Sequence, residues 1–419
     1  MHFLYSTFFI LLTPFILLRL YLKGFQAPAY HQRWQERFAI YNKQHSKQSI
    51  WFHAVSVGEA EAVFPLIKLI QKKYPHLSIL VTTTTPTGSQ RVQTTLGGTV
   101  SHVYLPYDIP YVIHRFFNHF KPKMAVIMEK EIWPNLFSEC HKQKTPLFII
   151  NARLSGISAK NYKKIPHLIV PTLNKVTKIL AQTEEDMQYF IDIGVNKHNI
   201  SVLGNLKFDT SISKQLLREG RQLHKTLFQQ RFVWIAASTH KGEEAILLKC
   251  YQALKKEIPE LLLIIVPRHP DRFIEVNALA KNKKFNTIMR SNNEACTKKT
   301  DVYIADTLGE LKMLYASADV SFVCGSLTPV GGHNILESLA AGTPTLFGPH
   351  MLNFKEISQN VLIHKASIQC HTENDLINAI NHLYLNKADS DLLIKNGHEF
   401  LRLNFGATEK TYTLLNTYF

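Results

Sequence analysis

The sequence predicts an α/β protein built as two Rossmann-like halves. Three observations carry that prediction. Short β-rich apolar runs alternate with helical stretches along most of the 419 residues, and a polar stretch without any strand-like run, Asp209–Gln230, divides an earlier series from a later one. A third is the tract VSFVCGSLTPVGGHNILESLAAGTPTLFGP at Val320–Pro349, which lays strand, glycine turn, helix and strand end to end. In it Ile335, Leu336, Leu339 and Ala340 recur at helical spacing until Gly342-Thr343-Pro344 stops them. The expectation is that the helix begins at Gly331-Gly332, where unpaired amides and the helix dipole suit a phosphate, with Glu337 about one turn in, near ribose hydroxyls. Gly-Gly alone fits any tight βα turn equally well.

In chain order, Phe3–Leu18 is uncharged and mostly apolar, and Leu20, Tyr21 and Leu22 extend it to a length that can cross a bilayer with Arg19 snorkelling. A cleaved signal peptide is disfavoured, because the basic residues follow the apolar core and no Ala-x-Ala-like site appears. Residues 1–24 are therefore read as an uncleaved membrane anchor, spanning or lying in the interface. Arg19, Lys23, Arg33 and Arg37 put the downstream side in the cytoplasm.

The first series opens with a strand at Ile50–Val55, then Ser56-Val57-Gly58-Glu59 and a helix through Val63, Leu66, Ile67 and Ile70. A second strand, Ile79–Thr83, leads through Thr85-Pro86-Thr87-Gly88-Ser89 to another helix. Strand-like runs follow at Val103–Leu105, Ala125–Met128, Leu147–Ile150, Leu168–Val170, Ile179–Ala181 and Val202–Leu203. The second series has Phe232–Ala236, Leu261–Val266, Val302–Ala305, Val320–Cys324 and Thr345–Phe347, and Asp375–Phe419 reads as largely helical. The division is 25–208 for the first domain, 209–230 for a linker and 231–419 for the second domain, whose last helix is free to pack back on the first.

The formal charge of +16 favours an anionic partner: nucleic acid, anionic lipid or a phosphorylated substrate. The basic residues are scattered, as at Lys121, Lys123, Lys142 and Lys144, and no zinc-finger spacing or aromatic–basic signature is present, so nucleic acid is set aside. Five cysteines, far apart and without a C-x-x-C pair, indicate neither a zinc site nor a disulfide framework.

In open α/β sheets ligands gather at the carboxyl ends of the strands, and the distinctive residues fall there. Glu59 follows the first strand at or near a helix N-terminus, where the dipole favours an ionised carboxylate able to take a proton from a hydroxyl; an ordinary acidic first-turn residue looks the same. Met128-Glu129-Lys130-Glu131-Ile132-Trp133-Pro134 puts two carboxylates and a lysine after a hydrophobic strand. Asn151-Ala152-Arg153 ends another strand with a cation. In the second half, Ser238-Thr239-His240, Pro267-Arg268-His269-Pro270 and Asp306-Thr307 each follow a strand directly. Arg268 and His269 suit a phosphate, and Asp306 or Thr307 suits a cap for a helix starting near Leu308. Any one of these reads equally as a solvated loop. Five together do not.

The segments FHAVSVGE (52–59), TTTTPTGS (82–89), MEKEIWPNL (128–136), NARLS (151–155), GNLKFD (204–209), ASTHKGEE (237–244), PRHPDR (267–272), DTLGEL (306–311) and GGHNILE (331–337) occur in this order nearly end to end. In them the chain resembles the bacterial 3-deoxy-D-manno-octulosonic acid (Kdo) transferases of lipopolysaccharide synthesis. The resemblance implies a GT-B glycosyltransferase, two Rossmann-like domains facing across a cleft, moving Kdo from CMP-Kdo to a phosphorylated lipid A precursor at the cytoplasmic side of the inner membrane. By motif it makes Glu59 the general base and Glu129 or Glu131 the second acidic position. It gives substrate contacts to Ser56, Gly58, Arg153, Lys207, Ser238, Thr239, His240, Arg268, His269, Asp306, Thr307, Gly309, Glu310, Gly331, Gly332, Asn334 and Glu337. The acidic pair often reads Glu-Thr-Glu in that family, so Lys130 departs from it.

No clustered Asp-x-Asp is present, so the transfer is expected to need neither a metal ion nor any other cofactor. Competing readings are a GT-B enzyme using another nucleotide sugar, a Rossmann oxidoreductase and a membrane-tethered glycolipid-binding module. The oxidoreductase would want Gly-x-Gly-x-x-Gly after an early strand, which Ser56-Val57-Gly58-Glu59 does not supply.

Overall fold

A computed structural model describes residues 1–42 and 48–419. The chain forms two units, one of Met1–Asp209 with Phe405–Phe419, the other of Thr210–Asn404.

The first unit holds a parallel sheet of β1 (Ser49–His53), β2 (Ser78–Thr83), β3 (Ser101–Tyr104), β4 (Met124–Met128), β5 (Leu147–Ala152), β6 (Lys178–Ala181) and β7 (Ile200–Val202), in the order β3-β2-β1-β4-β5-β6-β7. Its strands are continuous apolar runs because helices cover both faces. Trp51, Leu80, Ala125, Ile127 and Ile149 enter one core, and their neighbours Ile50, Phe52, Val81, Val126, Met128 and Ile150 enter the other. The chain order reverses between β1 and β4, which pair in register from Ile50–Met124 to His53–Ile127. Loops diverge at such a reversal and leave a crevice at the strands' carboxyl ends.

The second unit repeats the plan with β8 (Val233–Thr239), β9 (Leu262–Pro267), β10 (Thr287–Met289), β11 (Val302–Ile304), β12 (Val320–Val323), β13 (Thr345–Phe347) and β14 (Ile368–Gln369), in the order β10-β11-β9-β8-β12-β13-β14. Its reversal lies between β8 and β12.

Several expectations change. Leu168–Val170 is not a strand but part of a helix, Pro166–Leu173, which Pro166 opens at its first turn. The short outer strands β10 and β14 are absent from the sequence reading. Within the polar stretch read as a linker, Lys214–Thr226 is a helix of the second unit, packed so closely on the helix Leu311–Tyr315 that a Cβ on Gly220 would lie 2.6 Å from Ala316 Cβ. Phe405–Phe419 belongs to the first unit, where the Asp209 carboxylate accepts from Gly406 N at 2.6 Å and also from Thr408 N.

The N-terminal helix runs over His2–Gln26, and among the described residues it is the one helix long and apolar enough to cross a membrane. Most of its large side chains, Phe3, Leu4, Phe8, Leu11 and Phe15 among them, are exposed. Arg33 and Arg37, read above as charges orienting the anchor, are tied into the first unit. Arg33 makes a forked contact with Glu36 at 2.7 and 2.9 Å, and Arg37, 6% exposed, donates to the Thr84 carbonyl at 2.8 Å.

Candidate active site

At the β1/β4 reversal of the first unit stand the carboxylates singled out from the sequence. Ser56 caps the helix Val57–Lys73, its hydroxyl accepting from Glu59 N at 3.4 Å, and exposed Gly58 leaves the turn open. The Glu59 carboxylate turns back to accept from Val55 N at 2.8 Å and from the Ser56 hydroxyl at 3.2 Å. The helix dipole alone would keep such a carboxylate ionised well below neutrality. Here burial, and next the charge on Glu129, push Glu59 up to about 7 against the Val55 N–H, with Glu131 adding to the push. Burial and the neighbouring carboxylates thus act at Glu59 against the stabilisation that the helix N-terminus offers.

Glu129 follows β4 in the left-handed region at φ 56°, an uncommon conformation for a non-glycine residue. Lys207 Nζ donates to Glu129 Oε1 at 3.2 Å. The Trp133 indole N–H donates to Glu131 Oε2 at 3.1 Å, and burial pushes Glu131 above its usual range while that donor and the Lys130 charge oppose it. Lys130 is exposed beside both carboxylates. Asn151 at the end of β5 is also left-handed, at φ 51°, where the β5–β6 register shifts; its Oδ1 accepts from Leu206 N at 2.9 Å. That contact docks the 204–209 segment, which carries Lys207. Arg153 is exposed one residue beyond β5.

In the second unit the residues after β8, β9 and β12 converge. Ser238 is left-handed at φ 61° where the β8–β9 register shifts, and the buried Thr239 hydroxyl has no partner among the described residues. His240 Nε2 lies 2.8 Å from His333 Nε2 with the rings stacked, so one imidazole donates and the other accepts. The His269 ring is 5.5 Å from that of His240. Burial, then the Arg268 charge, push His333 down to about 3, and burial with His269 and Arg268 lowers His240. Arg268 and His269 are exposed at the end of β9. A neutral imidazole pair beside an exposed guanidinium is a setting in which an anion would be welcome.

Glu243 and Glu244 hold this edge together, and the sequence reading missed both as working parts. The fully buried Glu243 carboxylate accepts four backbone amides: Gly325 at 2.8 Å, Leu327 at 3.0 Å, His240 at 3.0 Å and Ser326 at 3.1 Å. It thereby ties the loop after β8 to the loop after β12. The fully buried Glu244 pairs with the partly exposed Arg272 of the PRHPDR segment. The signal was present in ASTHKGEE and PRHPDR, but spacing does not reveal which partners the fold supplies.

Other expectations are corrected. The helix after the glycine turn is Leu336–Ala341, not one starting at Gly331. The Gly332 amide is already paired with the Gly325 carbonyl at 2.7 Å, and Asn334 Oδ1 accepts from Leu336 N at 3.1 Å in the turn before the helix. Gly331 and Gly332 hold φ of 107° and 76°, a left-handed backbone that favours glycine. Asp306 does not cap a helix near Leu308 but accepts from Ser291 N at 2.8 Å and the Ser291 hydroxyl at 2.6 Å. Thr307 donates to Glu310, which precedes the helix Leu311–Tyr315 and makes a forked pair with Arg290 at 2.9 and 3.0 Å. Gly309 is exposed in that loop. Glu337 Oε1 is 3.7 Å from Lys312 Nζ. Among the described residues no group of three or more His, Cys, Asp and Glu side chains is arranged to hold a metal ion.

Two Rossmann-like units, each with a parallel sheet and charged residues at its reversal, make this the GT-B fold. Solved structures share the fold: a glycosyltransferase from Rickettsia africae (TM-score 0.54, 14% identity, 89% of this chain and 99% of that one) and Anabaena Alr3699/HepE in complex with UDP (TM-score 0.53, 15% identity, 88% and 99%). Residues 32–210 match the family model for 3-deoxy-D-manno-octulosonic-acid transferase. The chain is 40% identical to the 3-deoxy-D-manno-octulosonic acid transferase of Haemophilus influenzae across 99% of this chain and 98% of that protein. It is 31% identical to the Bordetella pertussis enzyme of the same name across 87% and 86%. The chain belongs to the 3-deoxy-D-manno-octulosonic acid transferase family and is a glycosyltransferase.

Proposed function

We propose that this enzyme transfers Kdo from CMP-Kdo to a phosphorylated lipid A precursor by inverting displacement, with Glu59 as general base. The observation that supports it is the Glu59 carboxyl, raised to about 7 at the β1/β4 reversal and lacking any ion-pair partner among the described residues. A hydroxyl of the acceptor attacks the anomeric carbon of Kdo. Its oxygen bonds to that carbon, its proton passes to Glu59, and the bond to the phosphate of CMP breaks. Glu129, paired with Lys207 yet still charged, and Glu131, held by Trp133, then serve as the fixed acidic surroundings that keep Glu59 basic near neutrality.

In this reading Ser56, Gly58, Arg153 and Lys207 border the acceptor, and the His240–Arg268–His269 edge with Ser238, Thr239, the 306–310 loop, Gly331, Gly332, Asn334 and Glu337 borders the donor. CMP leaves with a single phosphate, which Arg268 can take with a forked contact without a bridging divalent ion. Metal independence is part of the proposal, and retention of activity in EDTA is its measurement.

The exposed apolar side chains of the N-terminal helix suit a bilayer, and the net charge of +16 suits its anionic surface, on the cytoplasmic side of the inner membrane. The contacts of Glu59 with Val55 and Ser56 favour a second reading, in which the carboxylate merely caps its helix. Mass spectrometry of lipid products from CMP-Kdo and a tetra-acylated, bisphosphorylated acceptor tests the function. A product heavier by one or more Kdo residues supports it; an acceptor left unmodified refutes it.

A further inference from the structure

The N-terminal helix touches the first unit along one stripe of its first turns, His2, Tyr5, Ser6 and Phe9, at helical spacing. His2 Nε2 lies 3.2 Å from the Pro134 carbonyl and 3.0 Å from the Ser138 hydroxyl. Tyr5 donates to Asp108 Oδ2 at 2.9 Å, and the buried Ser6 hydroxyl donates to Asn135 Oδ1 at 2.7 Å. Phe9 meets the Trp133 ring edge-on, with centroids 6.5 Å apart. A bilayer anchor needs none of these polar groups, because lipid offers them no partner.

Three of the four land on one short segment, residues 133–138, and Tyr5 lands on Asp108, which is itself bonded to that segment. Asp108 caps the helix Pro134–Lys142 from another loop, accepting from Asn135 N at 3.0 Å and Leu136 N at 2.8 Å, while its carbonyl accepts from Asn135 Nδ2 at 2.6 Å. Immediately before that helix stands Trp133, whose N–H holds Glu131. The acidic loop is thus braced from outside by the N-terminal helix.

We propose that the N-terminal helix is a positioning element of the acidic loop: Phe9 seats Trp133, Trp133 orients Glu131, and Tyr5 and Ser6 pin the helix start behind them. The proposal rests on Glu131 being part of the active site, as read above. Trp133 and Phe9 act through Glu131 and are positioning residues.

The test uses the full chain carrying Tyr5→Leu, Ser6→Leu and Phe9→Leu, which keeps the helix apolar while removing its docking groups. Vesicles of phosphatidylglycerol and phosphatidylcholine report anchoring, and hydrogen exchange of residues 129–136 reports the loop. We expect vesicle binding equal to the parent's, exchange across 129–136 faster by on the order of tenfold, and a matching fall in kcat at unchanged KM for CMP-Kdo. Trp133→Phe, which keeps the ring and loses the N–H, is expected to lower kcat without altering vesicle binding, and Phe9→Trp to retain the parent's rate. Unchanged exchange in the triple variant overturns the proposal. Because exchange is read without substrate, a parent that fails to transfer Kdo refutes the proposed function and leaves the docking result standing.

Discussion

Lys207 Nζ lies 3.2 Å from Glu129 Oε1, and this contact separates the roles of the carboxylates at the first reversal. Glu129 has its cation and Glu131 has the Trp133 N–H. Among the described residues Glu59 has only a backbone amide and a serine hydroxyl of its own turn, and burial raises it to about 7, while the rise at Glu131 is opposed by its donor.

Activity should follow that titration. A base works as the anion, so kcat/KM for the acceptor is expected to rise about tenfold per pH unit below about 7 and to level off above it. Stability runs the other way. A carboxyl whose folded pKa lies above its unfolded value favours folding at low pH, and that contribution is lost as pH rises from the ordinary carboxyl range through about 7. Thermal melts of Glu59→Gln should therefore gain on the parent between pH 5 and pH 8. A flat pH–rate profile across this range would count against Glu59 as base.

Glu243 gives the second unit a separate test. Glu243→Ala leaves four buried amides without an acceptor and is expected to cost about 2–5 kcal/mol, each orphaned donor costing about 1–3 kcal/mol before relaxation. Calorimetric affinity for CMP should fall with it, because His240 and the 325–327 loop lose their common tie. Glu243→Gln, which keeps one acceptor oxygen, should lose less in both measurements.

The Glu244 end of the Glu244–Arg272 pair is buried, with side-chain exposures of 1% and 11%, and Arg272 also reaches the exposed Glu275 at 3.4 Å. Removing one partner strands a charge, so Arg272→Met alone is expected to destabilise by about 3–5 kcal/mol, while Glu244→Leu with Arg272→Met should recover most of that. Chemical denaturation of the two singles and the double closes the cycle. Additive losses would mean that the two side chains do not act as a pair.

Much of the fold was legible because buried parallel strands are continuous apolar runs. Leu168–Val170 misled for the same reason: Leu-Ile-Val reads as a strand, yet it lies between Pro166 and Pro171 in a helix. The positions of Glu59 and Glu129 after strands were legible too. Their convergence was not, since it depends on β1 pairing with β4, a choice made by the whole sheet. Lys207, distant in sequence, reaches Glu129 because Asn151 docks the 204–209 segment, a contact no local pattern announces. Asp108 is invisible for a like reason. Its capping of Asn135 and Leu136 joins segments that only the fold brings together.

Glu59→Gln is the most direct measurement. The amide oxygen can still accept from Val55 N, so the turn is expected to hold, with CMP affinity by calorimetry equal to the parent's and Kdo transfer lower by about 100-fold or more. Transfer within about twofold of the parent, at equal CMP affinity, would mean that Glu59 only caps its helix and that another carboxylate takes the proton.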